Sequence, residues 1–370
     1  MTDPLARIPY VDGILTAAEV AETAASIAAM QEPSGAIPWT VGEHVDIWNH
    51  LEGAMALLVG GQVDAAERAF AWVPTMQRPN GSWPMKIVGG LVEDERGEVN
   101  MSSYFAVALW HHWLVRRDLA FVQRFWPSVR AGLDWVVSMQ LPFGGIAWSQ
   151  EWEDGRPAAA DPGALLAGSS SIYQSLRAGV ALADLLDDPQ PEWELTGGRL
   201  GHALREHRDL FMDKAKYSMD WYYPVLGGAV RGEAAFELLE SRWDDFVRPD
   251  LGILCVDTNP WVTGAETCEL VMALDAIGDQ RRALRLLADM QHLRGEDGKY
   301  WTGWVYGDDV NWPPEWTTYT AAAVILAVDA LGETNGHSTA GSGIMRGTSL
   351  APHFSELALE CGCPSGDLVS

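Results

Sequence analysis

Basic residues are scarce in this chain of 370 residues: 25 Lys and Arg stand against 51 Asp and Glu, so the formal net charge is −26. Binding to nucleic acid or to an anionic membrane surface requires clustered Lys and Arg that neutralise phosphate groups. The composition therefore argues against both roles.

Long apolar runs and cysteines are also scarce. No stretch approaches the roughly 18 apolar residues of a membrane-spanning helix, and the first residues lack the basic and apolar segments of a signal peptide. These absences predict a cytoplasmic protein without membrane insertion. Four Cys make no disulfide framework, and Cys361 and Cys363 have only His353 as a neighbouring ligand type, so no spacing demands a metal or another cofactor.

Strand signals are nearly absent, whereas helical periodicity is easy to find, so the sequence predicts an all-α protein. The predicted helices are Thr16–Gln31, Asp46–Gly60, Val63–Gln77, Met101–Arg116, Leu119–Gln140, Gly168–Asp187, Glu192–His207, Ala234–Val247, Thr263–Gly278, Gln280–Leu293 and Glu315–Leu331. A weaker helix is expected from Trp221, in WYYPVLGGAVRG.

These helices alternate in character. Amphipathic helices such as VDAAERAFAWVPTMQ are each followed by a helix that is apolar almost all round, such as TTYTAAAVILAVDAL. A helix with a polar stripe faces water, and one that is apolar all round is buried. Six outer and inner pairs predict an (α/α)6 toroid as a single catalytic domain over residues 1–332. Residues 333–370, rich in Gly, Ser and Thr, are expected to form a flexible tail.

A loop pattern repeats with the helices. Four outer helices end in Gln, followed by Gly and then Trp, and the tightest copy is Gln77, Gly81 and Trp83. The Gly suits the left-handed position that ends a helix. We interpret these loops mainly as structural staples.

In such a ring every connection from an outer to an inner helix lies on one face. These connections hold much of the acid and many of the 18 Trp, with no Lys or Arg cluster. A Trp-lined acidic funnel suits a neutral ligand whose reaction develops positive charge, as in glycoside hydrolysis or isoprenoid cyclisation. The predicted substrate contacts are Asp46, Trp48, His50, Trp83, Trp148, Trp221, Tyr222, Trp261, Glu266, Trp304 and Asp308.

The Gln77–Trp83 pattern resembles the QW motif of squalene and terpene cyclases, whose toroid is similar to that of protein prenyltransferases. That resemblance implies a carboxylate proton donor. The chain departs from it because it has neither Asp-x-Asp-Asp nor Asp-Asp-x-x-Asp. The nearest approach to a prenyltransferase zinc site is Glu266, Cys268 and His292, which differs in residue type.

Most of residues 40–331 resembles the glucoamylase-like six-hairpin glycosidases. GGIAWSQEWEDGRP is similar to their loop that bears the general acid, and WPPEWTTYTAAAVILA to the loop that bears the general base. The resemblance implies a small-molecule or glycoconjugate substrate and two carboxyl groups, one protonated and one ionised. Glu153 beside Trp152, or Glu151, is the predicted acid, and Glu315 the predicted base.

Each assignment has an alternative. Glu315 could instead be only the N-terminal charge of the last helix, where the helix dipole stabilises it. Asp46 could only cap its helix, and Glu151 and Glu153 could belong to a solvated acidic loop. His50 is more readily a core histidine than a partner of Asp46. Asp220 is a further catalytic candidate because an acid beside three aromatic residues is costly unless it is partnered or used. A toroid that binds a ligand without catalysis is the third reading, after the glycosidase and the cyclase, and the oligomeric state is left open.

Overall fold

The computed structural model describes residues 7–344, 346–347, 350–351 and 354. Helices dominate it, as the sequence predicts. They are α1 (Ala17–Met30), α2 (Ile47–Val59), α3 (Val63–Trp72), α4 (Val99–Ser103), α5 (Phe105–Arg116), α6 (Leu119–Ser138), α7 (Leu166–Leu186), α8 (Pro191–Glu206), α9 (Ser218–Leu226), α10 (Gly232–Ser241), α11 (Trp243–Phe246), α12 (Gly264–Ala276), α13 (Gln280–Asp289) and α14 (Thr318–Asn335).

Six helices form a closed inner ring. Helices α2, α5, α7, α9, α12 and α14 pack against one another in that order, and α14 returns to contact α2. Helices α1, α3, α6, α8, α10 and α13 lie outside them and pack against the inner helices next to them in the chain. This arrangement confirms the predicted toroid of outer and inner helical pairs.

Burial explains why the two helix types differ in sequence. Every described residue of α14 from Thr318 to Gly332 is buried, as is every residue of α7 from Ser169 to Ala183. The outer helix α13 buries only Ala283, Leu286 and Leu287 along one stripe. The all-apolar pattern therefore marks the inner ring, and the amphipathic pattern marks the outer one.

Short antiparallel strands occupy the connections, where the sequence predicts almost none. The strands are β1 (Tyr10–Val11), β2 (Lys86–Val88), β3 (Leu91–Asp94), β4 (Gly97–Glu98), β5 (Ser149–Glu153), β6 (Arg156–Ala160), β7 (Val247–Arg248), β8 (Gly252–Leu254), β9 (Trp261–Thr263), β10 (Gly303–Val305), β11 (Val310–Asn311) and β12 (Gly336–His337). Apart from the β1–β12 pair, all lie in connections that enter an inner helix, in sheets ordered β2-β3, β4-β5-β6 and β11-β10-β9-β8-β7. They are too short to carry an alternating pattern.

The Gln and Gly of the repeated loops join neighbouring outer helices. Gln77 donates its amide N–H groups to Gly81 O and to Ser128 O of α6, both at 2.9 Å. Gly81 has φ +95, and a Cβ at this position would lie 2.0 Å from Ala131 O of the same helix. Gln77 therefore links its own loop to the next outer helix, α6, by two hydrogen bonds. Gly81, which has no side chain, lets the loop backbone approach the backbone of α6.

The same contacts recur around the ring. Gln31 donates to Gly35 O and Ala65 O, both at 2.9 Å, and Gln140 donates to Gly144 O and Thr196 O, both at 3.0 Å. Gly298 lies against the backbone of α1, so the last loop packs on the first outer helix and the ring of contacts closes. The Gln of this loop, Gln291, donates to Leu287 O of α13 and not to α1. These loops are structural staples, as interpreted from the sequence.

Helix α14 continues three residues past the boundary predicted at residue 332. Strand β12 then pairs with β1, and Arg177 of α7 donates from Nε to Ala351 O at 2.8 Å. The first part of the predicted tail therefore packs on the ring. Residues 345, 348–349, 352–353 and 355–370, with Cys361 and Cys363, lie outside the described residues. Among the described helices, none has the length and apolarity needed to cross a bilayer.

Candidate active site

Carboxylates gather where the inner helices begin. Asp46 is the N-cap of α2 and Glu98 the N-cap of α4, while Asp220 and Glu266 lie in the first turns of α9 and α12. Glu315 lies two residues before Thr317, the N-cap of α14. The carboxylates of Asp46 and Glu98 accept hydrogen bonds from the backbone N–H groups of Asn49, at 2.9 Å, and Met101, at 2.5 Å, in the first turns of their helices. The predicted convergence of these connections on one mouth is therefore observed.

Aromatic contacts show that the helix ends meet. The ring of Trp48 lies 6.0 Å from Tyr104, 6.1 Å from Tyr223 and 6.0 Å from Tyr319, measured between centroids. These partners belong to or adjoin three different inner helices, α5, α9 and α14. Trp48 thus stands near the middle of the funnel.

A cavity of about 220 Å³ opens beside Trp48 on the same face. It is mostly apolar, with few polar groups, as ligand pockets usually are. The lining residues are Trp48, Met85, Glu98, Asn100, Met101, Trp148, Leu165, Ala167, Gly168, Met219 and Tyr223. Of these, Glu98 is the only carboxylic acid, so it is the candidate proton donor of the cavity lining.

The environment of Glu98 favours the protonated form. The pKa of Glu98 is raised to about 8, chiefly by burial and to a smaller extent by the negative charge of Asp46, while the backbone N–H groups of Met101 and Asn100 act in the opposite direction. Met101 N donates to the carboxylate at 2.5 Å. At neutral pH this side chain is chiefly a carboxylic acid and can give up a proton.

Two more buried acids form the floor of the funnel with four tyrosines, which we call the tyrosine floor. The Tyr104 hydroxyl donates to Glu52 at 3.0 Å. Glu269 accepts from the hydroxyl groups of Tyr223 at 2.6 Å and Tyr319 at 2.9 Å, and from that of Tyr222.

Burial controls the ionisation of the tyrosine floor. The pKa of Glu52 is raised to about 7 and that of Glu269 to about 8, in both cases chiefly by burial and partly by repulsion from neighbouring carboxylates. The pKa values of the tyrosines are also raised, chiefly by burial. The tyrosine floor therefore consists of acids and hydroxyl groups with raised pKa values, joined to one another by hydrogen bonds beneath the cavity.

Glu266 is half-buried and faces this floor. Its negative charge contributes to raising the pKa values of Tyr222, Tyr319 and Glu269. Helix α12 is the fifth of the six inner positions and α5, which directly follows α4, is the second. Glu266 and Glu98 therefore enter the ring from opposite sides.

Asp220 lies beside the cavity, next to Met219, and its carboxylate contacts one of the lining residues. Burial raises its pKa to about 6, and its carboxylate accepts a hydrogen bond from Ala167 N at 3.2 Å. It also lines a neighbouring cavity of about 460 Å³ together with Trp221 and Arg208. Asp220 is partnered and half-buried, as expected for an acid among aromatic residues.

The three other predicted catalytic acids lie away from the cavity. Glu151 and Glu153 are exposed on β5, where pairing with β6 turns them to solvent, and neither lines the cavity of about 220 Å³. The structure thus places both side chains on an exposed hairpin outside the cavity lining. Glu315 is half-buried and accepts a hydrogen bond from Trp39 Nε1 at 2.8 Å, so it holds the first connection against the last one.

The predicted substrate tryptophans divide into two groups. Trp48 and Trp148 line the cavity, and Trp261 and Trp304 are half-buried on the five-stranded sheet at the mouth, where Asp308 is exposed. Trp83 is only 1% exposed and donates to Val73 O at 2.8 Å, so it cannot stack on a sugar. Trp221 stacks on Phe246 and donates to Leu238 O at 2.9 Å.

Two further predicted contacts are internal. His50 accepts a hydrogen bond from Ile37 N at 2.9 Å through Nδ1, and its Nε2 lies 3.0 Å from Ala69 O. Burial lowers its pKa to about 4. His50 is thus a neutral core histidine and not a partner of Asp46. Tyr222 is buried in the tyrosine floor and reaches a ligand only through Glu269.

The zinc alternative finds no support. Cys268 is buried, while His292 is exposed with Nε2 3.0 Å from Leu251 O. Over the part of the chain that the structure describes, no group of three His, Cys, Asp or Glu side chains is arranged to hold a metal ion.

Sequence reasoning missed Glu52, Glu98 and Glu269. Glu52 and Glu269 are the acidic residues of otherwise apolar stretches, in LEGAMALLV and CELVMAL, and this was the signal that could have found them. An acid inside an all-apolar inner helix must be partnered or used. Glu98 gave no such signal because it lies in the acidic stretch LVEDERGEVN and not within an apolar run.

No model of a known protein family matches the chain. A curated relative is 52% identical over 367 residues, which cover 99% of each chain: the MMP endo-(1,4)-3-O-methyl-alpha-D-mannosidase of Mycolicibacterium hassiacum. Among solved structures, a glycosidase variant is 15% identical, with a TM-score of 0.68 over 90% of this chain and 99% of the other. A D-mannose isomerase is 12% identical, with a TM-score of 0.63 over 84% and 96%. At these identities the structures show a common fold.

Proposed function

This chain belongs to the glycosidase family of the Mycolicibacterium hassiacum mannosidase, and from that premise we propose that it hydrolyses internal α-1,4 bonds between 3-O-methylmannose units. The identity runs over nearly the whole of both chains, which supports a shared substrate class. The chain is a glycoside hydrolase-like enzyme, and the proposal concerns the bond that it cleaves and the residues that cleave it.

The proposed general acid is Glu98. Glycoside hydrolysis needs a carboxylic acid that protonates the leaving oxygen as the bond breaks. Glu98 is the acid that lines the aromatic cavity, and its pKa of about 8 keeps it protonated at neutral pH. This combination is the single observation that carries the mechanism.

The proposed general base is Glu266. It is half-buried in the first turn of α12 and faces the tyrosine floor from that end of the helix. From the side of the ring opposite Glu98, it would take a proton from the water that attacks the sugar carbon. The proton that Glu98 gives to the leaving oxygen and the proton that Glu266 takes from water balance the reaction.

The aromatic side chains stabilise the charge that develops between these acids. The sugar acquires positive charge as its bond breaks, and the faces of indole rings attract cations. Trp48 and Trp148 both line the cavity, so they supply such faces on the side of Glu98. None of the residues that line this cavity is Lys or Arg, which is consistent with this role.

The test is hydrolysis of 4-linked α-mannose oligosaccharides with and without 3-O-methyl groups, followed by mass spectrometry of the products. We expect shorter oligosaccharides from internal cleavage, and loss of turnover in Glu266→Gln. Glu194→Gln, an exposed acid on the outer helix α8, is the matched control and should keep the wild-type rate. Release of single sugars from the chain end, or unchanged turnover in Glu266→Gln, would contradict the proposal.

A further inference from the structure

We propose that three methionines in the funnel cavity contact the O-methyl group of the sugar and so make the enzyme select methylated mannosides. These residues, Met85, Met101 and Met219, form what we call the methionine wall. The inference rests on the proposed function and adds the residues that set its substrate specificity.

The methionine wall is assembled from three separate parts of the chain. Met85 precedes β2, Met101 lies in α4, and Met219 lies in the first turn of α9. All three are half-buried and line one cavity of about 220 Å³. Other methionines fill the core instead, and they are Met30, Met55, Met139, Met272 and Met290.

An apolar wall beside a proton donor has a chemical consequence. A sugar hydroxyl placed against thioether and methyl groups loses its hydrogen bonds to water and gains none, which is costly. A methyl ether at the same position loses far less and adds dispersion contacts with the polarizable sulfur atoms. The methionine wall therefore favours a methoxy group over a free hydroxyl.

The cavity also contains the polar groups needed to orient a sugar. Asn100 is 7% exposed, and its Oδ1 has no hydrogen-bond partner among the described residues; the same holds for Trp148 Nε1. Buried polar atoms are nearly always paired, so two orphans that line one cavity point to a ligand. Asn100 Oδ1 can accept from a free hydroxyl, and Trp148 Nε1 can donate to a ring or ether oxygen.

The experiment compares kcat/KM on 3-O-methylated and unmethylated 4-linked α-mannose oligosaccharides. Wild-type enzyme should prefer the methylated chain, and Met101→Gln or Met219→Gln should reduce that preference roughly tenfold, the scale on which an apolar pocket discriminates one carbon. Met101→Leu keeps the site apolar and should retain the preference. Met212→Gln makes the same change in the neighbouring cavity of about 460 Å³ and should leave the preference unchanged.

Several results would overturn the inference. They are an unchanged preference in both Gln variants, an equal loss on the two substrates in folded variants, and a loss in Met101→Leu as large as in Met101→Gln.

Calorimetric binding of both oligosaccharides separates this inference from the proposed function. Selective binding of the methylated chain that is lost in Met101→Gln supports the methionine wall even without cleavage. Cleavage without any methyl preference supports the proposed function and refutes the methionine wall.

Discussion

Replacing Gly81 with Ala tests the loop staples against a well-matched control. Gly81 and Gly90 both have positive φ, +95 and +81, so an added side chain strains both backbones by a similar amount, about 1–2 kcal/mol. At Gly90 nothing lies within 4 Å of the added Cβ, whereas at Gly81 the Cβ would lie 2.0 Å from Ala131 O. The loop must therefore move away from α6 in Gly81→Ala alone.

This movement breaks the two hydrogen bonds of Gln77, each of which contributes about 1 kcal/mol. We expect Gly81→Ala to lower the free energy of unfolding by ~2 kcal/mol more than Gly90→Ala does. Thermal denaturation should show the difference as a melting temperature lower by roughly 3 °C. Adding Gln77→Ala to Gly81→Ala should then have little further effect, because the bonds are already lost. Equal melting temperatures for Gly81→Ala and Gly90→Ala would refute the staple.

Three further predictions concern charge. The folded-state pKa of Glu98, about 8, lies above its ordinary value of 4.5, so its contribution to stability is complete below about pH 4.5 and lost as the pH rises through 8. Between pH 5 and pH 8 the urea midpoint of the wild type should therefore fall more, or rise less, than that of Glu98→Gln, and an equal pH dependence in the two proteins would contradict the assignment. Asp46→Asn removes a charge that raises the pKa of Glu98, so the basic limb of the kcat/KM profile should move to lower pH; an unmoved limb would show that Glu98 does not control it. Glu153→Gln alters an exposed hairpin side chain and should leave kcat/KM within about twofold of wild type, since surface changes away from a site have small effects; a large loss would restore the acid predicted from the sequence.

The ring could be predicted because its signals are local and repeated. An inner helix such as α14 must be apolar on every side because other helices surround it, and this pattern is visible in one short stretch. The staples repeat for the same reason, since each loop meets an equivalent outer helix. Helix ends were displaced by a few residues where a turn or a 3-10 segment closes the helix, as at Val73–Met76 after α3.

The site was harder to predict because the chemistry of a carboxylate depends on its distant neighbours. Glu98 and Glu153 both lie in acidic connections, yet of the two only Glu98 is buried, in a cavity whose lining reaches as far along the chain as Tyr223. The pairing of β5 with β6 that exposes Glu153 involves strands too short to announce themselves. The sequence likewise predicts Trp83 as a substrate contact at the mouth of the ring. In the structure its side chain is buried and donates a hydrogen bond to Val73 O.

The role of Glu98 as proton donor is the central claim, and a substrate that needs no proton tests it most directly. In a dinitrophenyl glycoside of the methylated oligosaccharide, the leaving group is dinitrophenolate, which departs as a stable anion. A natural sugar leaving group must instead be protonated as the bond breaks. Rates of wild type and Glu98→Gln on both substrates give the answer. We expect Glu98→Gln to lose roughly 10²–10⁴-fold on the natural bond and almost nothing on the dinitrophenyl glycoside. An equal loss on both substrates, or no loss on the natural bond, would contradict the account.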